Sequence, residues 1–245
     1  MLRGMVFVDH MNFDIALRNL YYPDERTPKL DYNTLFKDVV RQIPDVDYLK
    51  TFIFAPTPDD FLMTDERLSG YYKWVQGFKS AKYIDVIDGR YIARPVDSSI
   101  PMNIADHRTY YKVEKGTDIN LAVHALTKAH FDAYDVAFVM SADTDYLTVY
   151  QQLKNMGKLV VVVIVRGQNI GKLRPEVDDF LILDKPFFNE HIRRYQSRDI
   201  LMDAPSFAIC SLFLFRLIVG KCLCAVGEAL GGGVVNQIPH RHENR

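Results

Sequence analysis

The hydrophobic residues of this chain alternate between short uninterrupted runs and longer segments in which they recur every three or four residues. Apolar runs of strand length lie at residues 5–8, 51–55, 136–140 and 159–165. The helical spacing between these runs predicts helices near residues 32–43, 118–130 and 147–156. Strands that alternate with helices in this way predict an α/β fold with a parallel sheet.

Two local predictions concern the middle of the chain. The segment KYIDVIDGRYIARP, residues 82–95, is typical of two short strands joined by a tight turn at Asp88 and Gly89. The helix near residues 118–130 is amphipathic, and one stripe of it should face the core. That predicted inner face carries Ile119, Ala122, Leu126 and Ala129.

Composition narrows the class of protein. The chain has 245 residues with 48% hydrophobic content, which is enough for a sizeable buried core. Thirty basic residues against 31 acidic ones leave a net charge of −1, so any binding to nucleic acid must be local. The N-terminus reads as a first strand without the features of a secretory signal, and the three cysteines suggest neither a disulfide framework nor zinc ligands. A cytoplasmic protein is expected.

Domain organisation is predicted from a change of composition after Met202. Residues 1–200 are expected to form one domain, and residues 201–245 a separate C-terminal tail with an apolar part at 204–235. The longest uncharged stretch of the tail, Ala204 to Phe215, is too short to span a membrane. A membrane partner is therefore not expected.

Four aspartates lie where the predicted strands end or a helix begins. Asp9 ends the first apolar run, Asp143 and Asp145 follow the third, and Asp118 opens a helix. Each one alone could be a helix cap or a first-turn acid. Ligands of open parallel sheets bind at the carboxyl ends of the strands, however, and two carboxylates about 5 Å apart repel by about 3 kcal/mol at an effective dielectric near 20. Converging carboxylates with no histidine or thiolate partner therefore suggest Mg²⁺ or Mn²⁺.

Three segments that contain these aspartates, FVDHMNF, KGTDINLAV and SADTDY, match in order the signature segments of NYN domains. The chain thus resembles these PIN-like, metal-dependent ribonucleases, which include the LabA group, over roughly residues 3 to 185. Three positions depart from the family pattern: His10 and Ala142 stand where glycine is frequent, and Tyr146 replaces a frequent phenylalanine.

The resemblance implies a PIN-like three-layer sandwich with a central, mainly parallel sheet, and metal-assisted hydrolysis of phosphodiester bonds. The implied catalytic and metal-binding residues are Asp9, Asp118, Asp143 and Asp145. Asn12 and Ser141 would orient a metal-bound water or a phosphate oxygen. Asn12 could equally cap a helix that starts at Phe13, and the two roles are compatible.

An RNA substrate, single-stranded in our interpretation, requires positive charge close to the acidic site. Residues 107–115 combine Tyr110 and Tyr111 with basic side chains, a mixture suited to base stacking and phosphate binding, although it is also typical of a solvated strand. Residues 165–174 follow the last apolar run and are expected at the same sheet edge. The predicted substrate-binding cations of the two segments are Lys115, Arg166, Lys172 and Arg174. A homo-oligomer is left open.

Two rival functions remain at this point. A haloacid-dehalogenase-like phosphatase also uses two aspartates separated by one residue after a strand, but there the pair normally ends the first strand. A PIN-like module that binds RNA or protein without turnover would keep the same fold. The intact aspartates argue against this second rival without excluding it.

Overall fold

The computed structural model describes residues 1–193, which form one compact unit. Seven strands are present in this range: β1 (Leu2–Asp9), β2 (Val46–Pro58), β3 (Ile84–Pro95), β4 (Tyr110–Lys115), β5 (Val136–Met140), β6 (Leu159–Val165) and β7 (Asp179–Leu183). The α-helices of the range are α1 (His10–Tyr21), α2 (Tyr32–Arg41), α3 (Glu66–Gln76), α4 (Thr117–His130), α5 (Leu147–Asn155) and α6 (Lys185–Glu190). Short 3-10 turns lie at Leu62–Thr64, Gly77–Ser80, Thr144–Tyr146 and Arg174–Glu176.

The strands form one sheet with the order β4-β3-β2-β1-β5-β6-β7. All neighbouring strands run parallel except β4, which pairs antiparallel with β3 at one side of the sheet. Helices α1, α2, α3 and α6 contribute to the core on one face of the sheet, and α4 and α5 to the core on the other. The predicted PIN-like three-layer sandwich is thereby confirmed.

Each central strand supplies both cores because successive side chains point to opposite faces. In β1, Val6 and Val8 lie in the core beneath α1 and α2, whereas Met5 and Phe7 lie in the core beneath α4 and α5. A strand covered on both faces needs apolar residues at every position. This requirement explains why the uninterrupted runs in the sequence located the central strands.

Gly89 does not form the predicted turn, and the hairpin prediction for residues 82–95 is wrong. β3 continues through Asp88 and Gly89 and pairs with β2 from Ile84 to Tyr91. A Cβ atom at Gly89 would lie 2.2 Å from Oγ1 of Thr117, the first residue of α4. The glycine therefore permits close packing between the strand and the start of this helix.

The predicted inner face of α4 is also wrong in part. Ile119 is 68% exposed, whereas the residues buried by the helix are Thr117, Leu121, Ala125 and Ala129. The helix begins at Thr117, and contact with Gly89 turns this residue inward. Of the predicted set, Ala129 is the buried one, and Leu126 packs partly against the same core.

The predicted tail, including the apolar stretch Ala204 to Phe215, lies outside the described residues, as does the proposed boundary at residue 200. Between residues 1 and 193, no helix is both long and apolar enough to cross a membrane.

Candidate functional site

The sheet changes its winding direction between β1 and β5, at the carboxyl ends of these two strands. After β1 the chain continues through α1 and α2 to β2 on one side, and after β5 it continues through α5 to β6 on the other. In open α/β sheets, ligands bind at this kind of switch point. Asp9 is the last residue of β1, and Ser141 follows β5 directly.

The aspartates of this edge also serve as caps. Asp9 caps α1 by accepting a hydrogen bond from the backbone N–H of Asn12 at 3.2 Å, and Asp143 caps the turn Thr144–Tyr146 by accepting from the backbone N–H of Asp145 at 2.9 Å. Asp118 lies in the first turn of α4. Since Asn12 is inside α1, its predicted alternative role as a cap is wrong. Capping holds the carboxylates of Asp9 and Asp143 at the strand ends.

A hydrogen-bond network joins the loops after β1, β5 and β6. The buried hydroxyl of Ser141 donates to Oδ2 of Asp9 and accepts from the backbone N–H of Asp143, both at 3.1 Å. Oδ1 of Asn12 accepts from the backbone N–H of Ala142 at 3.2 Å and from Nε2 of Gln168 at 2.8 Å. Gln168 was not among the predicted site residues, because no local pattern shows that the loop after β6 reaches α1.

Asp9 is the most perturbed acid of the site. The residue is 6% exposed, and this burial raises the pKa of its carboxyl from 3.8 to about 6, against the hydrogen bonds from Asn12 and Ser141, which lower it. The negative charges of Asp118 and Glu114 raise the pKa further. Three carboxyl groups from β1, α4 and β4 are therefore close enough to influence one another.

Glu114 was not among the predicted site residues. Loss of hydration raises the pKa of its carboxyl, and the charge of Asp118 raises it further. Between the two residues, Gly116 adopts a positive φ of 84° and reverses the chain from β4 into α4. Gly116 was the feature of the sequence that could have indicated Glu114. A left-handed turn at this glycine brings the end of β4 close to the first turn of α4.

The three departures from the family pattern are accommodated around this site. His10 is fully buried between the hydroxyls of Tyr71, on α3, and Tyr32, on α2, and burial lowers its pKa to about 3, so the imidazole is neutral. Ala142 donates its backbone N–H to the site network. Tyr146 is buried, and its hydroxyl donates to Oδ1 of Asp118 at 3.0 Å. Ala142 and Tyr146 thus bond to residues of the site, whereas His10 bonds to the two tyrosines.

The predicted metal ligands are not grouped as a metal site within residues 1–193. Asp145 is exposed and joins the network through its backbone N–H. In the part of the chain that the structure describes, no three histidine, cysteine, aspartate or glutamate side chains are grouped so that they could hold a metal ion. The available donors are carboxylate, amide and hydroxyl oxygens, which suit a hard cation such as Mg²⁺ or Mn²⁺. A cation would also relieve the repulsion that raises the pKa of Asp9.

The predicted substrate-binding cations do not share one location. Lys115 is exposed at the end of β4, three residues before Asp118. Arg166 is exposed directly after β6 and forms an ion pair with Asp184 at 3.5 Å, and Lys172 is exposed in the following loop. The guanidinium of Arg174 lies over the ring of Phe180, which pairs with Val162 in the middle of β6. Arg174 is therefore not at the strand-end edge, and that expectation is wrong.

The comparison with family models agrees with the sequence signature. The family model of the NYN domain matches residues 3–184. Among solved structures, the chain is similar to a protein of unknown function, VPA0982, from Vibrio parahaemolyticus, with 17% sequence identity, a TM-score of 0.48, and coverage of 76% of this chain and 95% of that one. No curated protein matches the chain significantly.

Proposed function

The chain belongs to the NYN domain family, and from this premise we propose that it is a metal-dependent nuclease that hydrolyses phosphodiester bonds of RNA. The family is nuclease-like in general, so a hydrolase is the expected class of enzyme. The observation that carries the proposal is the environment of Asp9: a buried carboxyl group at the switch point, with its pKa raised to about 6 by burial and by two neighbouring acids.

The residues that would hold the metal are Asp9, Asp118 and Asp143. Asp145 would be a further ligand, or an acid that supports these ligands without touching the metal. A bound Mg²⁺ or Mn²⁺ would polarise the scissile phosphate and lower the pKa of an attacking water. Glu114 would add negative charge beside Asp118. α4, which carries Asp118, begins at this edge without a side-chain cap, so its first backbone N–H groups also favour a bound anion.

The chain itself positions the acids through neutral partners. Ser141 holds its proton on Oγ and donates it in a hydrogen bond to Asp9, while the same oxygen accepts from the backbone of Asp143, so one hydroxyl sets the spacing of two acids. Tyr146 orients Asp118, and burial together with the charges of Asp9 and Asp118 raises the pKa of the phenol, which therefore remains a donor. Asn12 is the third neutral partner, and its side-chain oxygen is held by hydrogen bonds from Ala142 and Gln168.

One rival keeps a specific observation in its favour. The absence of a preassembled ligand group within residues 1–193 is compatible with a module that binds RNA without cutting it. The phosphatase rival is disfavoured, because the chain belongs to a different family and its aspartate pair follows β5, in the second half of the sheet.

The decisive experiment is cleavage of a labelled single-stranded RNA by the full chain in Mn²⁺ or Mg²⁺, with and without a chelator. Wild-type protein should cut, and chelation or Asp143→Asn should remove most of the activity, because Asn keeps the volume and loses the charge. Asp47→Asn is the matched control: this exposed aspartate lies at the opposite end of the sheet, near the start of β2. RNA that is shifted in a gel but never shortened would establish the binding module instead.

Thermal unfolding gives an independent check of the metal. Millimolar Mn²⁺ should raise the melting temperature of the wild type by mass action, and the gain should shrink in Asp9→Asn and Asp143→Asn. A melting temperature that does not respond to the cation in the wild type would argue against a metal site.

A further inference from the structure

The antiparallel pair β3–β4 extends beyond the rest of the sheet at the edge that carries the carboxylates. β2 pairs with β3 as far as Tyr91, and residues 92–95 continue with β4 alone. In the sheet register, Asp9 is level with Phe54 and Ile87, so Arg90 lies three residues, or roughly 10 Å, beyond that level. We call residues 90–95 with 110–115 the β3–β4 ribbon.

One face of this ribbon is closed by packing. Tyr91, Ala93 and Tyr110 contact the cluster around Leu62, and Tyr110 is buried with its hydroxyl bonded to His107 at 2.7 Å. The predicted stacking role of Tyr110 is therefore excluded. Tyr111, the next residue, points to the opposite face and is 53% exposed.

The open face carries a ladder of three cross-strand pairs. Residues directly opposite each other in an antiparallel pair share a face. The register places Arg90 opposite Lys115, Ile92 opposite Val113, and Arg94 opposite Tyr111. The two ends of the ladder thus hold cations and an aromatic ring, and the middle holds a half-buried aliphatic pair.

The cations of the ladder are free to bind a ligand. Arg90, Arg94 and Lys115 are exposed, and none of them has an ion-pair partner among the described residues. Arg108 is paired with Asp106 at 3.7 Å and Arg166 with Asp184, whereas Lys112, on the other face of the ribbon, is exposed without an ion-pair partner among the described residues. The open face thus holds three of the four basic residues of the ribbon.

We propose that the open face of the β3–β4 ribbon binds single-stranded RNA and guides it to the carboxylate site. Arg90, Arg94 and Lys115 would contact phosphates over a length of roughly 13 Å between the two arginines, and the ring of Tyr111 would stack on a base. A single strand is the fitting partner, because the ring and the aliphatic pair need base faces that a duplex hides. The inference rests on the proposed function for the identity of the ligand.

The test is binding of a fluorescently labelled oligoribonucleotide to the full chain in a chelator, followed by anisotropy over a range of salt concentrations. Arg90→Gln combined with Arg94→Gln should weaken binding and lower the slope of log K against log salt by about 1.4, since each phosphate contact on a single strand contributes about 0.7. Arg174→Gln is the control, because it removes one positive charge away from this edge and should leave the slope unchanged. Equal behaviour of the two would overturn the proposal.

Tyr111 supplies a second and independent comparison. Tyr111→Ala should weaken binding about fivefold or more, whereas Tyr111→Phe keeps the ring and should bind like the wild type. Equally tight binding of a duplex of the same sequence, or equal competition by polyglutamate, would show that the face recognises negative charge alone. The melting temperature of each variant reports whether the fold is retained, and the arginine variants keep the proposal testable if Tyr111→Ala unfolds.

Cleavage measured in parallel separates the two proposals. If the wild type binds RNA through the ladder but does not cut it in Mn²⁺, the nuclease assignment fails and the ribbon surface stands. If the wild type cuts RNA and the ribbon variants show unchanged KM, the ribbon surface fails and the nuclease assignment stands.

Discussion

Replacement of Asp9 by asparagine should stabilise the metal-free protein at neutral pH while abolishing its activity. The carboxyl group of Asp9 is buried, and its pKa is raised from 3.8 to about 6. Since a tenfold change in proton affinity corresponds to about 1.4 kcal/mol, the rise of this pKa from 3.8 to about 6 amounts to about 3 kcal/mol. This energy is the cost of holding the charged form of Asp9 in the fold, where it faces Asp118 and Glu114.

The sign of the pH dependence follows from proton binding. Between pH 3.8 and about 6 the folded protein holds the Asp9 proton more tightly than the unfolded chain does, so the free energy of unfolding falls as the pH rises through this window. Above the window the cost is complete. Asn cannot ionise and escapes the cost, although it replaces one of the two oxygens that accept hydrogen bonds from Asn12 and Ser141.

Urea denaturation in a chelator, followed by circular dichroism from pH 4 to pH 8, measures the difference. The free energy of unfolding of Asp9→Asn relative to the wild type should increase by up to about 3 kcal/mol between pH 4 and pH 7 and then remain level. Asp145→Asn, at an exposed carboxylate of the same edge, should show a much smaller change. A difference that is constant across the range would refute the argument that burial and neighbouring acids make Asp9 costly.

Three further substitutions test the supports of the site. Gly89→Ala should lower the free energy of unfolding by about 1–3 kcal/mol in urea titrations, because its Cβ would lie 2.2 Å from Oγ1 of Thr117; an unchanged midpoint would contradict the close contact. Tyr146→Phe should weaken Mn²⁺ binding about fivefold in calorimetric titrations, because Asp118 loses a hydrogen bond worth about 1 kcal/mol; equal affinity would show that the hydroxyl does not orient the acid. Ser141→Ala removes two hydrogen bonds of a buried hydroxyl and should lower the free energy of unfolding by about 1–3 kcal/mol in urea titrations. A much smaller loss would contradict the bridging role of the hydroxyl.

The family signature located the acids of the site because each one occupies a position that local sequence defines. Asp9 and Asp143 follow apolar runs that form strands β1 and β5. Asp118 follows the glycine that precedes α4. Apolar runs predicted β5 and β6 to the residue, since strands covered on both faces have no polar positions. That these acids bind metal and cut RNA remains a prediction.

The sequence by itself thus determined the class of fold, the central strands and the acidic residues at their ends. It could do so because a run of consecutive apolar residues indicates a buried strand, and the polar residue after the run indicates where the strand ends. Tertiary structure decided what lies beside those acids. Glu114 and Gln168 reach the site only through the register of β4 and the path of the loop after β6. The face on which Arg90 and Arg94 lie follows from pairing with a strand some twenty residues away, and Gly89 lies within its strand, where it leaves room for Thr117. Such contacts depend on which strands and helices become neighbours. The hydrophobic periodicity within one segment does not show which other segment it will pair with or pack against.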